Sequence, residues 1–205
     1  MQPKIKVLGV GGSGSNTVSR IAKFNEAGVE LIAINTDAQA LHFCKVPSKI
    51  LIGKHVTKGL GAGMDVSLGK AAAEENKQEL SDLIKGCDMV FITSGMGGGT
   101  GSGAAPVIAE ISKSLGILTI AVVTMPFSFE GKQRKKVAKK AMENLKAKNV
   151  RIGFETEMSS EELIDFLKMF NSDLFGVYYD LGNCTSYGFD CKKDISILRN
   201  KIFGV

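Results

Sequence analysis

The chain has 205 residues, a formal net charge of +5, 24 glycines, 4 cysteines and 2 histidines. That length suits one large domain with a sizeable core, and no stretch approaches the ~20 apolar residues of a membrane span. The start, "MQPKIKVLGVGG", reads as a charged lead into a strand and not as a secretory signal, so a cytoplasmic protein is expected.

Short β-branched runs occur at 4–10, 30–36, 49–53, 88–94, 118–124, 150–156 and 174–180. Parallel strands covered on both faces have this composition. Helical patterns separate them: "SNTVSRIAKF", "GKAAAEENKQELSDLIKG", "AAPVIAEISKSLG", "KQRKKVAKKAMENLKAK", "SSEELIDFLKMF" and "KKDISILRNKI". The fifth opens with a capping signal, because Ser159 and Ser160 precede Glu161 and Glu162. Strand–helix alternation predicts an α/β fold: a doubly wound, Rossmann-like parallel sheet with helices on both faces and right-handed crossovers.

The cysteines (Cys44, Cys87, Cys184, Cys191) lack C-x-x-C spacing and, without a signal peptide, read as reduced thiols. Cys184 and Cys191 lie seven apart, and with only His42 and His55 elsewhere they do not suggest a zinc site. Much of the positive charge sits in "GKQRKKVAKK", which has no interleaved aromatic residues. It reads as a solvated helix face, so no nucleic-acid or membrane partner is expected.

Glycines cluster where strands give way to helices: "GVGGSGSN" at 9–16, "GLGAGM" at 59–64 and "GMGGGTGSG" at 95–103. Ligands of open α/β sheets bind at the carboxyl ends of strands, and glycine-rich turns into helices present bare N–H groups to anions. The pattern therefore suggests a polyphosphate site. "GVGGSG" alone fits G-x-G-x-x-G, and Asp37 follows at the distance of a ribose-binding acid. An NAD-dependent oxidoreductase is thus one alternative, although the chain shows no substrate domain with a catalytic His or Tyr. No G-x-x-x-x-G-K-[ST] loop occurs.

The heptad "GGGTGSG" resembles the nucleotide-binding motif of the tubulin/FtsZ family. "VLGVGGSGSNTV", "IAINTDAQAL", "ILIGKHVTKGLGAGMDVSLGKAAAEE", "MVFITSGMGGGTGSGAAPVIAEI" and "LTIAVVTMPFSFEGKQR" follow in the family's order, from about residue 4 to 148. The resemblance implies a cell-division GTPase parent that binds GTP or GDP, with Mg2+ carried on the nucleotide. Gly11, Gly12 and Asn16 would lie against the phosphates, and Asn35 and Asp37 would border the nucleotide and the γ-phosphate side. Gly61, Ala62 and Gly63 would close on the γ-phosphate, Gly97, Gly98, Gly99, Thr100 and Gly101 would wrap the phosphate chain, and Glu130 and Arg134 would reach the ribose and neighbouring phosphates.

Beyond residue 149 the family's guanine-reading Phe and Asp on a long helix are absent, as is the acidic loop that serves a neighbour's site. The resemblance therefore implies no catalytic residue within this chain, and it puts robust hydrolysis and filament assembly in doubt. Residues 149–205 instead resemble a fragment of a sugar epimerase/isomerase TIM barrel, through "GVYYDLGN" and "KIFGV". A chimera is the expectation, with regions 1–148 and 149–205 in one compact domain and the second as a βαβα(β) segment extending the same sheet. Glu155 or Glu157, with Asp180, would be remnants of a barrel metal site too incomplete to hold a metal. A folded scaffold with an empty site is a further alternative, and the chain could be a monomer or an edge-strand homodimer.

Overall fold

The computed structural model describes residues 3–24, 28–154 and 158–204. Its strands are β1 (Ile5–Val10), β2 (Val29–Asn35), β3 (Ser48–Leu51), β4 (Met89–Gly95), β5 (Leu118–Thr124), β6 (Arg151–Phe154), β7 (Phe175–Tyr178) and β8 (Ile202–Gly204). They form one sheet in the order β3-β2-β1-β4-β5-β6-β7-β8, and every neighbouring pair is parallel. The expected α/β class is therefore observed, and the segment after 149 continues the same sheet. Strand order reverses between β1 and β4, where an open α/β sheet leaves a crevice above its carboxyl ends.

The helices are α1 (Gly11–Ile21), α2 (Ala38–Phe43), α3 (Lys54–Thr57), α4 (Val66–Glu75), α5 (Lys77–Ile84), α6 (Gly99–Ser114), α7 (Lys132–Ala147), α8 (Ser160–Lys168), α9 (Leu181–Ser186) and α10 (Cys191–Leu198). They cover both faces, as the alternation along β2 shows. Ile32 and Ile34 join a large core with α4, α6 and α7, whereas Leu31 and Ala33 pack with Val18 and Leu41 of α1 and α2. The expected long helix at 69–86 is interrupted at Asn76, whose Oδ1 accepts the Gly53 N–H at 2.8 Å. That bond turns the chain, and α5 starts afresh.

The added strands are stitched by rings lying over glycines. A Cβ at Gly153 would overlap the Tyr178 ring, and one at Gly204 or Gly176 would crowd Tyr178 or Phe203. Glycine thus admits an aromatic side chain from the neighbouring strand at each point. Beneath them Phe154, Phe166, Phe170 and Phe175 form one cluster, with centroids of contacting rings 4.3–5.9 Å apart. Phe154 is 1% and Phe175 0% exposed; each such burial contributes about 1.5–3 kcal/mol. Ser159 caps α8 as its sequence suggests, accepting the Glu162 N–H at 3.3 Å while Glu162 Oε2 accepts the Ser159 N–H at 3.0 Å.

The cysteine expectation needs correction. Cys184 and Cys191 are joined in a disulfide with their Cα atoms 6.0 Å apart, and Cys44 and Cys87 are the free thiols. The short turn between α9 and α10 brings the two sulfurs together, a proximity that sequence spacing does not reveal.

Candidate functional site

A cleft of about 850 Å3 opens at the carboxyl ends of β1, β4, β5 and β6. Its floor is built by the starts of two helices. The turns expected as glycine loops are already helical: α1 begins at Gly11 and α6 at Gly99. The first-turn N–H groups of each have no acceptor within their own helix, and the helix dipole places partial positive charge there.

The glycines divide into two kinds. A Cβ at Gly12, Gly63 or Gly98 would meet no atom within 4 Å, so these positions leave backbone open to the cleft. Gly99 and Gly101 serve packing. A Cβ at Gly99 would lie 2.7–2.8 Å from the carbonyl oxygens of Ala62, Gly63 and Asp65, and one at Gly101 would collide with Ser94 and Gly95. Gly11, at φ +73°, approaches Gly101, whose N would lie 3.0 Å from an added Cβ. Much of the glycine density in "GGGTGSG" therefore lets chain segments approach one another.

Of the expected residues, Gly11, Gly12, Gly63, Gly98, Gly99, Thr100, Gly101, Glu130 and Arg134 line the cleft. The others do not. Asn35 is 3% exposed, and its Oδ1 accepts the N–H groups of Thr36 at 2.9 Å and Asp37 at 3.3 Å. Asp37 caps α2, accepting the Ala40 N–H at 2.9 Å. The Gly61 N–H bonds the Thr36 carbonyl at 3.1 Å, and the Ala62 carbonyl accepts the Asp65 N–H at 2.9 Å. Asn16 is exposed on α1, and the Gly97 N–H is taken by Ser102 Oγ at 2.9 Å. Apart from the exposed Asn16, these groups shape the loops from behind. Asp65 anchors the same loop to α4: the Ser67 hydroxyl, then the Leu68 and Ser67 amides, hold its carboxyl below the usual range.

Two expected contacts are already engaged within the protein. The Gly99 N–H donates to the Gly63 carbonyl at 3.0 Å, and the Thr100 hydroxyl shares a hydrogen bond of 2.7 Å with Thr36. Glu130 accepts the Phe127 N–H at 2.8 Å and pairs with Arg134 one turn into α7. The far wall comes from residues that sequence reasoning did not assign to the site: Phe154, Met158, Glu162 and Phe166. In the sequence Phe154 reads as strand, Phe166 as the apolar face of α8 and Glu162 as part of its cap, so none of them announces a ligand.

Glu155 and Glu157 lie outside the described residues. Asp180 stands at the start of α9, where its Oδ1 accepts the Gly182 N–H at 2.7 Å. Among the described residues no group of three or more His, Cys, Asp or Glu gathers as a metal site. No helix among them is long and apolar enough to cross a membrane.

Helices covering both faces, strand order reversing beneath a cleft, and two helix starts opening into that cleft define a Rossmann-like α/β domain with a site at its switch point. The chain belongs to the tubulin/FtsZ family: residues 4–151 match the family's GTPase-domain model. An empty FtsZ dimer from M. jannaschii is 40% identical with a TM-score of 0.74, covering 97% of this chain and 53% of that one. An FtsZ point mutant from the same organism matches with the same identity and TM-score over 97% and 58%. CetZ1 from Haloferax volcanii, a GDP-bound monomer, is 25% identical with a TM-score of 0.68 over 95% and 64%. The chain thus spans little more than half the length of these FtsZ chains. Their coverage reaches well past residue 149, and none of these matches supports the barrel resemblance of that segment.

Proposed function

We propose that this chain is a guanine-nucleotide-binding domain of FtsZ type, holding GTP or GDP by its phosphates without robust hydrolysis or polymerisation of its own. One observation carries the reading: the starts of α1 and α6 face one cleft, and at Gly12 and Gly98 no side chain stands between backbone and cleft. Two helix N-termini converging in this way favour a di- or triphosphate. In this reading Gly11, Gly12, Gly98, Thr100 and Gly101 hold the phosphate chain, while Gly63 borders its terminal phosphate and Gly61 and Ala62 shape the loop behind it. Gly97 and Gly99 fix the course of the α6 start, Asn35 and Asp37 support the adjoining turns, and Asn16 stands exposed on the first turns of α1. Arg134 and Glu130 open their mutual ion pair to reach phosphate and ribose. The base lies toward Met158, Glu162 and Phe166.

Among the described residues the cleft's acidic side chains are Glu130 and Glu162, and each accepts a neighbouring backbone N–H. That structural engagement supports a reading of binding without efficient turnover. Any Mg2+ would ride on the phosphates. The GDP carried by CetZ1 supports the choice of nucleotide. Among the described residues β8 is an edge strand of the sheet, and light scattering tests whether it pairs with a second copy. Calorimetry tests the main reading: GDP should bind and NADH should not. Heat with NADH alone would favour an oxidoreductase, and silence with both would leave a scaffold.

A further inference from the structure

We propose that the Cys184–Cys191 disulfide is a thiol-reducible clamp on the start of α8, and through it on one wall of the cleft. Cys191 is the first residue of α10, and Cys184 lies in α9. From Cys191 onward, α10 grips α8 twice. Asp194 Oδ1 accepts the buried Ser160 hydroxyl at 2.6 Å, and Lys193 pairs with Glu161 at 2.8 Å on the surface. Ser160 is the first residue of α8, and the residues on either side of it, Met158 and Glu162, line the cleft. The disulfide therefore holds the helix that holds the wall.

The chemistry is ordinary exchange. Cys184 is 3% exposed and Cys191 is less buried, so a dithiol attacks Cys191 Sγ as thiolate. The S–S bond breaks, and Cys184 leaves as thiolate and takes up a proton. The reductant's second thiol then resolves the mixed disulfide, releasing Cys191 as a thiol and carrying away the reductant's own disulfide. Two electrons pass from the dithiol to the pair. The freed Cys184 sulfur lies 3.9 Å from Asp194 Oδ2, the oxygen that accepts the Tyr179 hydroxyl at 3.0 Å. A thiol there competes with Tyr179 for one carboxylate oxygen. This loosens the hydrogen-bonded unit of Asp194, Tyr179 and Ser160 just where α10 has lost its covalent tie.

The ligand readout rests on the nucleotide reading above; the other two do not. In denaturant, protein treated with oxidised glutathione should show two thiols, Cys44 and Cys87, and after dithiothreitol four. Reduction should speed amide hydrogen exchange across 160–168 by about fivefold or more, and Cys191→Ser should match the reduced protein and ignore dithiothreitol. GDP affinity should fall about fivefold. Four thiols in the oxidised sample, or unchanged exchange over 160–168 on reduction of the unmutated chain, would overturn the clamp. Absence of GDP heat in both states, with exchange still responding, would instead sink the nucleotide reading and leave the clamp standing.

Discussion

The carbonyl oxygen of Gly63 accepts the N–H of Gly99 at 3.0 Å, so the loop bordering the cleft is pinned to the first residue of α6. Two alanine substitutions one residue apart should consequently behave differently. Gly99→Ala drives a methyl group into three carbonyl oxygens 2.7–2.8 Å away and should cost about 1–3 kcal/mol of stability. Gly98→Ala meets nothing within 4 Å; it should fold normally yet weaken GDP binding about tenfold, because its methyl group occupies the phosphate path. Urea unfolding and calorimetry on both proteins check this. Equal GDP affinity for Gly98→Ala and the unmutated chain would count against the phosphate site.

The phenylalanine cluster offers a second separation. Phe154 is 1% exposed and stacks on Phe170 and Phe175, so Phe154→Ala should lose about 3–5 kcal/mol. Phe166 is half-buried at the edge of the cluster and also faces the cleft. Phe166→Ala should cost less stability and weaken GDP more than inorganic triphosphate, since only the former carries a base to contact that wall. Equal losses for both ligands would place the base elsewhere.

Much of the architecture was legible because buried parallel strands write themselves as β-branched runs. Ile5, Val7 and Val10 or Val122 and Val123 leave few alternatives. The extension of the sheet by the last segment was also legible, since "FGVYYD" and "IFGV" keep the strand composition. The lining of the cleft was legible only where local sequence carries it, as in Gly12, Gly98 and Arg134. Asn35 and Asp37 have the residue types of ligand contacts, and in the structure the Oδ1 of each accepts a backbone N–H of the turn beside it, a second duty that the sequence does not announce. The wall of Met158, Glu162 and Phe166 was hidden because it depends on how α8 docks on β6, a long-range packing outcome. The disulfide was hidden because it is the turn between α9 and α10, and not the spacing of the cysteines, that brings the two sulfurs together.

Buried and exposed partners of α8 and α10 should contribute unequally. Asp194 is 6% exposed and accepts two hydroxyl groups, so Asp194→Ala removes the carboxylate that Tyr179 donates to, leaves Ser160 only the Glu161 carboxylate at 3.0 Å, and should cost about 2–4 kcal/mol. The neighbouring Glu161–Lys193 pair is solvated, and Lys193→Ala should leave the urea midpoint nearly unchanged. The hydrogen bond from Lys193 first, then those from the Glu161 amide and the Ser160 hydroxyl, lower the Glu161 carboxyl from 4.5 to about 2. Its small contribution is present above about pH 4.5, is lost as pH falls toward 2, and should vanish in high salt. A large effect of Lys193→Ala at neutral pH would contradict this ranking.

The same cluster should give the protein an alkaline limit. Burial first, and then its bond to the Asp194 carboxylate, push the Tyr179 hydroxyl from 10.0 up to about 12. The folded state thus favours the neutral phenol. Below pH 10 the phenol is neutral in both states and its contribution is complete. As pH rises the unfolded chain ionises first, and the contribution is lost through about pH 12. Across that window the stability of the unmutated chain should fall more steeply than that of Tyr179→Phe, which keeps the ring and removes the titrating group. Unfolding midpoints of the two proteins from about pH 9 to about pH 12 measure the difference, with lysine titration common to both. Parallel curves would mean that Tyr179 ionises alike in both states and that its bond to Asp194 contributes nothing at high pH.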